Sequence, residues 1–99
     1  MAFPKFEFAL VPSKEEFGVG IEKVELLAER PDGKVLVRTE EDTIGIGERI
    51  GRVSKWEETV SLSIKRLLSE KDILSVFKNL EGFYLYEGFP DFGKLKISK

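Results

Sequence analysis

The sequence contains no cysteine and no histidine. Without cysteine the chain can form neither a disulfide nor a thiolate metal site, and it has no thiol nucleophile. Without histidine it lacks the usual general base of hydrolases and the most common side-chain ligand of zinc and iron. These two absences exclude cysteine-based and histidine-based catalysis and most transition-metal sites.

The residues that degrade most readily on heating are also scarce. Glutamine is absent, Asn79 is the single asparagine and Met1 the single methionine, whereas there are 14 glutamates and 11 lysines. Depletion of heat-labile residues together with enrichment in Lys and Glu is typical of hyperthermophile proteins. The composition therefore predicts a thermostable protein.

No stretch approaches the ~20 consecutive apolar residues that a membrane-spanning helix needs. The first residues also lack the apolar run of a signal peptide. We therefore expect a soluble, cytoplasmic protein with no membrane association. Its 99 residues are the size of one domain, spanning positions 1–99.

The charge is unevenly distributed along the chain. Residues 1–50 carry 7 basic and 11 acidic side chains, whereas residues 51–99 carry 9 basic and 7 acidic ones. The net charge of −2 argues against a general nucleic-acid binder, whose binding surface is usually basic. An anionic partner is therefore better sought in the second half of the chain.

The first half of the chain has the patterns of β-strands. Hydrophobic and other side chains alternate from Phe6 to Val11, which predicts a half-buried strand ending at Pro12. The segment Pro31-Asp32-Gly33 is a turn signal and predicts that residues 23–30 pair with residues 34–39 as a hairpin. An alternative is a helix over residues 14–29, capped by a serine at position 13.

The second half has the patterns of two helices. Ser54 and Glu57 match a capping box, and apolar residues follow at helical spacing, which predicts a helix over residues 55–68. Ser69 can cap a second helix over residues 70–80, which Gly82 would end. Residues 83–86 and 95–97 then read as closing strands.

These elements predict an α+β domain. Its sheet, antiparallel or mixed, would have four to five strands, with both helices (residues 55–68 and 70–80) packed on one face. If residues 14–29 are helical instead, the order becomes ferredoxin-like, β-α-β-β-α-β.

A glycine-rich segment precedes the first predicted helix. Arg49, Arg52 and Lys55 lie close to its predicted N-terminus, where unpaired amides and the helix dipole could hold an anion. The glycine spacing matches neither the dinucleotide fingerprint nor the P-loop. We identify no catalytic motif, no metal site and no cofactor site, although convergence of two carboxylates in a cleft would permit carboxylate-based chemistry.

Five of the eleven aromatic residues fall within ten positions near the C-terminus, and they form the predicted interface: Phe83, Tyr84, Tyr86, Phe89 and Phe92. Successive residues of a strand face opposite sides, so a two-layer domain cannot bury both faces of this segment. Aromatic residues are enriched in the cores of protein–protein interfaces, so an exposed aromatic face predicts an interface. With the nearby lysines it could also stack the bases of single-stranded nucleic acid.

The sequence thus predicts a thermostable binding module without evident catalytic activity that self-associates, as a homodimer. Single-stranded nucleic-acid binding is the alternative function, and a small carboxylate-based enzyme is a weaker one.

Overall fold

The computed structural model describes residues 5–12, 18–55 and 58–89, and this part of the chain forms a small β-barrel with one short helix. The elements in chain order are β1 (Lys5–Pro12), β2 (Val19–Glu29), β3 (Lys34–Arg38), β4 (Ile44–Lys55), β5 (Glu58–Leu67), α1 (Glu70–Phe77) and β6 (Tyr84–Leu85).

Strands β1 to β5 form an antiparallel meander that closes on itself. Each strand pairs with the next one, and β1 also pairs with β5 in parallel, along Phe8–Leu10 and Val60–Ser63. The closing pair is parallel because the first and last strands of a five-stranded meander run in the same direction. Strand β6 pairs with the end of β2, beyond the point where β1 begins.

The molecule has two hydrophobic cores, one on each side of the barrel wall. The interior core consists of Ala9, Val11, Val24, Leu26, Val35, Val37, Leu62 and Ile64. The outer core consists of Leu27, Ala28, Leu36, Ile44 and Leu68, covered by half-buried side chains of α1 and of the segment that follows it. The helix therefore packs against the outside of the barrel, over β2, β3 and β4.

The predicted hairpin between residues 23–30 and 34–39 is confirmed. Strands β2 and β3 pair antiparallel across the turn, with Glu29 opposite Val35. The Asp32 carboxylate accepts a hydrogen bond from the backbone amide of Lys34 at 3.1 Å, and Gly33 has a φ of +99°. Asp is favoured in tight turns because its side chain can accept a hydrogen bond from the backbone two residues on, and Gly because it adopts a positive φ without strain.

Close packing of β4 against β5 requires glycine at position 47. Gly47 lies opposite Ile64, next to a bulge at Lys65 in β5. A Cβ atom at Gly47 would lie 2.1 Å from the carbonyl oxygen of Ser63, a distance that no real contact has. Glycine in a strand often marks such a close backbone approach.

The predicted helix over residues 55–68 is wrong, because this segment is strand β5. Val60, Leu62 and Ile64 are all buried and alternate with serines, and this period of two belongs to a strand with one buried face. Ser54 lies in β4, opposite Thr59, and caps no helix. Trp56 and Glu57, which completed the helical pattern, lie outside the described residues.

The second helix is confirmed in a shorter form. It spans Glu70–Phe77, and Ser69 caps it: the Ser69 hydroxyl accepts from the backbone amide of Asp72, whose carboxylate in turn accepts from the backbone amide of Ser69. With one helix in the described chain and a closed barrel in place of an open sheet, the α+β prediction with two helices is wrong.

The ferredoxin-like alternative is wrong as well. Residues 19–29, which it requires to be helical, form β2 at the centre of the barrel wall. The predicted cap at position 13 and the closing strand over residues 95–97 lie outside the described residues.

Candidate functional site

A cluster of polar side chains occupies one end of the barrel interior, and we call it the mouth cluster. Its members are Lys5 and Glu7 of β1, Glu29 of β2, Arg49 of β4, Ser61 of β5 and Tyr86 after β6. Four barrel strands contribute to it. The cluster therefore links parts of the chain that are far apart in sequence.

Residues of β1 and β4 enter the mouth cluster through simple strand alternation. Ala9 and Val11 lie in the interior core, so Glu7 shares their inward side. Gly47 of β4 lies opposite Val35, an interior residue, so Arg49 also points inward.

Glu29 reaches the interior only because β2 contains a bulge. Leu26 pairs with Val37 and Ala28 pairs with Leu36, so that Leu27 is an extra residue on β2. Leu26 therefore faces the interior core, whereas Leu27 and Ala28 both face the outer core. The bulge shifts the alternation by one residue and turns Glu29 inward, as bulges at barrel rims commonly do.

Arg49 is the centre of the hydrogen-bond network. Its Nη1 and Nη2 donate to the two carboxylate oxygens of Glu7 at 3.0 and 3.2 Å, and its Nε and Nη2 donate to those of Glu29 at 2.6 and 3.0 Å. Two bidentate pairs on one guanidinium use the planar fork geometry that distinguishes arginine from lysine. Ser61 also donates to Glu7, and Tyr86 donates to Glu29 at 2.9 Å.

The network holds both carboxylates in their ionised form. Burial alone would raise the pKa of Glu7, but hydrogen bonds from Arg49 and Ser61 and the charges of Arg49 and Lys5 outweigh it and lower that pKa. Hydrogen bonds from Arg49 lower the pKa of Glu29 against the effect of burial, and the Tyr86 hydroxyl adds to this. Burial and the hydrogen bond to Glu29 raise the pKa of Tyr86 to about 12.

These pKa directions bear on the carboxylate-enzyme hypothesis. Two-carboxylate catalysis requires one group with a raised pKa that can donate a proton near neutral pH. In the mouth cluster both carboxylates have lowered pKa values and Tyr86 stays protonated. The arrangement is therefore suited to ion pairing and to holding strands together, not to proton transfer.

An open cleft of about 610 Å³ lies beside the mouth cluster, between the start of β1 and the middle of β4. It is lined by Lys5, Glu7, Arg49, Gly51, Arg52, Thr59 and Ser61. Ile50, Gly51 and Arg52 have no partner residues on β5, because the pairing jumps from Arg49 to Val53. Gly51 has a φ of +87°, so this irregularity bends β4 and forms one wall of the cleft.

The predicted anion-binding residues are distributed around this cleft. Arg49 and Arg52 both line it, although no helix begins at residue 55 to supply a dipole. Most of the hydrogen-bonding capacity of Arg49 is taken by Glu7 and Glu29. The side chain of Lys55 lies outside the described residues.

The outward side of β1 carries a row of large apolar side chains: Phe6, Phe8 and Leu10. Phe6 is 50% exposed, and the Nζ atom of Lys23 lies 4.9 Å from its ring centroid. Leu85 of β6 is 46% exposed and pairs with Ala28, an outward-facing residue. Phe6 lies opposite Glu25 and Leu85 lies opposite Ala28, so both side chains are on the outward side along the same edge of β2. We call these four side chains (Phe6, Phe8, Leu10 and Leu85) the outer ridge.

The predicted interface segment has both buried and exposed parts. Phe83 and Phe89 pack against the outer core, with the Phe89 ring 5.4 Å from that of Phe77. Tyr86 packs against the interior core and joins the mouth cluster. Tyr84 is 66% exposed, with its ring 4.9 Å from that of Tyr86. Phe92 lies outside the described residues.

Sequence reasoning missed Glu7, Glu29, Ser61 and Lys5 as members of a common site. A signal existed for Glu7, which alternates with apolar neighbours in a predicted strand. The bulge at Leu27, which places Glu29, has no recognisable sequence pattern.

Comparison with known proteins finds no similar family model, curated protein or solved structure. Within the described residues no helix is long and apolar enough to cross a membrane.

Proposed function

We propose that this protein is a binding module without catalytic activity, and that its partner is a second copy of the chain, docked on the outer ridge. The observation that carries the proposal is the exposure of Phe6 and Leu85 on one face of the barrel wall. Exposed apolar side chains rimmed by polar residues are typical of protein interaction sites.

The charges around the outer ridge favour a protein partner over a nucleic acid. Lys23, Glu25, Arg38 and Glu40 line a groove of about 230 Å³ beside Phe6. Arg38 forms ion pairs with Glu25 at 3.2 Å and with Asp42 at 3.4 Å, so its charge is already balanced. A rim that carries both signs suits a twofold contact, in which one surface must be complementary to itself.

The outer ridge is also held rigidly. This favours binding, because little conformational entropy is lost when the ridge associates with a partner. Phe6 and Phe8 belong to a strand paired on both sides within the barrel, and Leu85 is fixed by its pairing with β2. The anchors of the adjoining segment, Phe83 and Tyr86, are packed into the two cores.

The test is the oligomeric state of the double variant Phe6→Ser/Leu85→Ser, measured by light scattering from micromolar to submillimolar concentration. We expect wild type to be dimeric and the variant to be a folded monomer. Tyr84→Ser is the matched control, since Tyr84 is 66% exposed but faces the side of β6 opposite to Leu85. A monomeric wild type, or a folded variant that remains dimeric, would contradict the proposal.

A second candidate function is the binding of single-stranded nucleic acid at the barrel mouth. The observation that favours it is the exposed ring of Tyr84, which lies against the ring of Tyr86. Lys5 lies 5.5 Å from the centroid of the Tyr86 ring and lines the cleft together with Arg52. Stacking on an aromatic side chain next to basic residues is the usual mode of such binding. The meander order of this barrel differs, however, from the Greek-key order of the OB-folds that bind oligonucleotides.

A further inference from the structure

The cleft beside the mouth cluster has an excess of positive charge. Lys5 and Arg49 are balanced by Glu7 and Glu29, since Lys5 Nζ lies 3.4 Å from Glu7 and Arg49 pairs with both carboxylates. Arg52 also lines the cleft and forms no ion pair with any described residue. The positive charge of Arg52 is therefore available to a ligand.

Hydrogen-bond donors surround this charge. Arg52 has five guanidinium donors, and the Lys5 ammonium has three, of which Glu7 needs one. Thr59 lines the cleft, and its hydroxyl has no hydrogen-bond partner among the described residues. Gly51 contributes backbone with a positive φ, a conformation found in the concave backbone sites that bind anions.

The floor of the cleft is preorganised and does not compete for these donors. Both oxygens of Glu7 are already engaged, one by Arg49 and Ser61 and the other by Arg49 and Lys5. Arg52 of β4 and Lys5 of β1 both line the cleft, and Arg52 directly follows Gly51, which has a positive φ. A tetrahedral oxyanion can accept hydrogen bonds from several cationic and hydroxyl donors of this kind at once.

We propose that this cleft binds a phosphate group, with Arg52 as its charge partner and Lys5 and Thr59 as further hydrogen-bond donors. Glu7 and Arg49 act as positioning residues that hold Lys5 and the cleft wall in place. The site lies beside the mouth cluster and does not depend on self-association through the outer ridge.

The experiment follows backbone amide resonances of the isotope-labelled full chain during titration with inorganic phosphate, at constant ionic strength maintained with chloride. We expect saturable shifts centred on Gly51, Arg52 and Thr59. Arg52→Ser should weaken phosphate binding about tenfold or more, since a charge-assisted interaction is lost. Arg52 makes no ion pair among the described residues, so the thermal midpoint of the variant should match that of wild type.

Lys65→Ser is the matched control, because Lys65 is a basic residue on the outside of the same strand pair and is 61% exposed. It should bind phosphate as wild type does. The proposal is overturned if no saturable shift occurs, if the shifts lie away from the cleft, or if Arg52→Ser and Lys65→Ser behave alike.

A parallel titration with a single-stranded oligonucleotide identifies the source of the phosphate group. Tighter binding than that of inorganic phosphate, with the same resonances shifted and a steep loss with salt, would assign the site to a nucleic-acid backbone. Binding of inorganic phosphate with no gain for the oligonucleotide would assign it to a small phosphorylated ligand. Either result supports a phosphate site in the cleft.

Discussion

Arg49 is the residue on which the barrel mouth depends most. Its guanidinium joins the inward side chains of β1 and β2 to β4, and 31% of the side chain remains exposed. Removing one partner of a buried ion pair leaves the other charges unpaired, which is strongly destabilising. Because this cluster is partly hydrated, we expect Arg49→Met to lower the free energy of unfolding by about 2 kcal/mol, less than for a fully buried pair.

Urea unfolding at neutral pH measures this effect, with Arg52→Met as the control. Arg52 lies near Arg49 on the same strand but pairs with no described carboxylate, so its replacement should change stability little. Equal effects of the two substitutions would show that the network does not stabilise the fold.

The Arg49→Met variant also shows how much of the acid-induced loss of stability arises from the mouth cluster. Glu7 and Glu29 have lowered pKa values in the folded state, so they contribute stability above their unfolded values near pH 4.5, and this is lost as the pH falls through the folded values. Between neutral pH and about pH 3, wild type should therefore lose more stability than Arg49→Met. If the free energy of unfolding falls equally with pH in wild type and in Arg49→Met, the lowered pKa values of Glu7 and Glu29 are contradicted.

The Tyr86 hydroxyl should ionise at a higher pH than an ordinary tyrosine. Its pKa is raised to about 12 by burial and by its hydrogen bond to Glu29, so its ionisation opposes folding only in strongly alkaline solution. In a Tyr84→Phe variant the tyrosinate absorbance arises from Tyr86 alone, since the chain has two tyrosines. We expect its midpoint near 12, and an ordinary tyrosine midpoint would mean that the ring is not held in the mouth cluster.

At the scale of the element, the pairing of β4 with β5 depends on Gly47. A methyl group there would overlap the backbone of Ser63, and neither strand can move away without opening the barrel. We expect Gly47→Ala to destabilise the protein by about 3 kcal/mol or to prevent folding. Gly20→Ala in β2 is the control, because a Cβ atom there meets nothing within 4 Å. Thermal and urea unfolding compare the two.

Two serines of α1, one at its N-terminal cap and one in its middle, allow the stability effect of the cap to be measured. Ser69 caps the helix, whereas Ser75 lies exposed in its middle. Ser69→Ala should lower stability by about 1 kcal/mol through loss of the capping box. Ser75→Ala should have almost no effect, because the hydrogen bond from Asn79 goes to the backbone carbonyl of Ser75. Equal losses would indicate that the cap contributes nothing.

The two capping patterns show how far the sequence predicts the elements. Ser69 and Ser54 are both followed three residues later by an acidic residue, but only Ser69 begins a helix. Around Ser54 the tertiary structure overrides the local pattern, since the buried residues Val60 and Leu62 pair with both neighbouring strands and Ile64 pairs with β4. Turns that depend on one residue, such as Gly33, were predictable because the backbone conformation itself selects the residue.

Which face of β1 points into the barrel could not be predicted from the sequence, and this determines whether Glu7 belongs to the site. Its alternation predicted a strand, but alternation does not say which side faces inward. Phe6 and Phe8 have the larger apolar side chains, yet Ala9 and Val11 enter the interior, where the narrow five-stranded barrel has room for small residues. Glu7 consequently points into the mouth and the phenylalanines form the outer ridge.

At the scale of the whole molecule, the scarcity of heat-labile residues still predicts high thermal stability. Abundant ion-pairing residues act in the same direction, and in the fold Arg49 joins two carboxylates in one network. We expect unfolding above about 85 °C near neutral pH. Scanning calorimetry measures it, and a reversible midpoint typical of mesophilic domains would contradict the thermophile inference.

The parallel seam between β1 and β5 determines when the barrel can close during folding. The seam joins Phe8 to Val60, so the intervening hairpins must be in place before it gains any free energy, and loop-closure entropy opposes it until then. Proteins dominated by such distant contacts fold slowly, in roughly milliseconds to seconds. Until the seam forms, β1 and β5 are open edges bearing apolar side chains, and in that interval the chain is most exposed to misassembly with its neighbours.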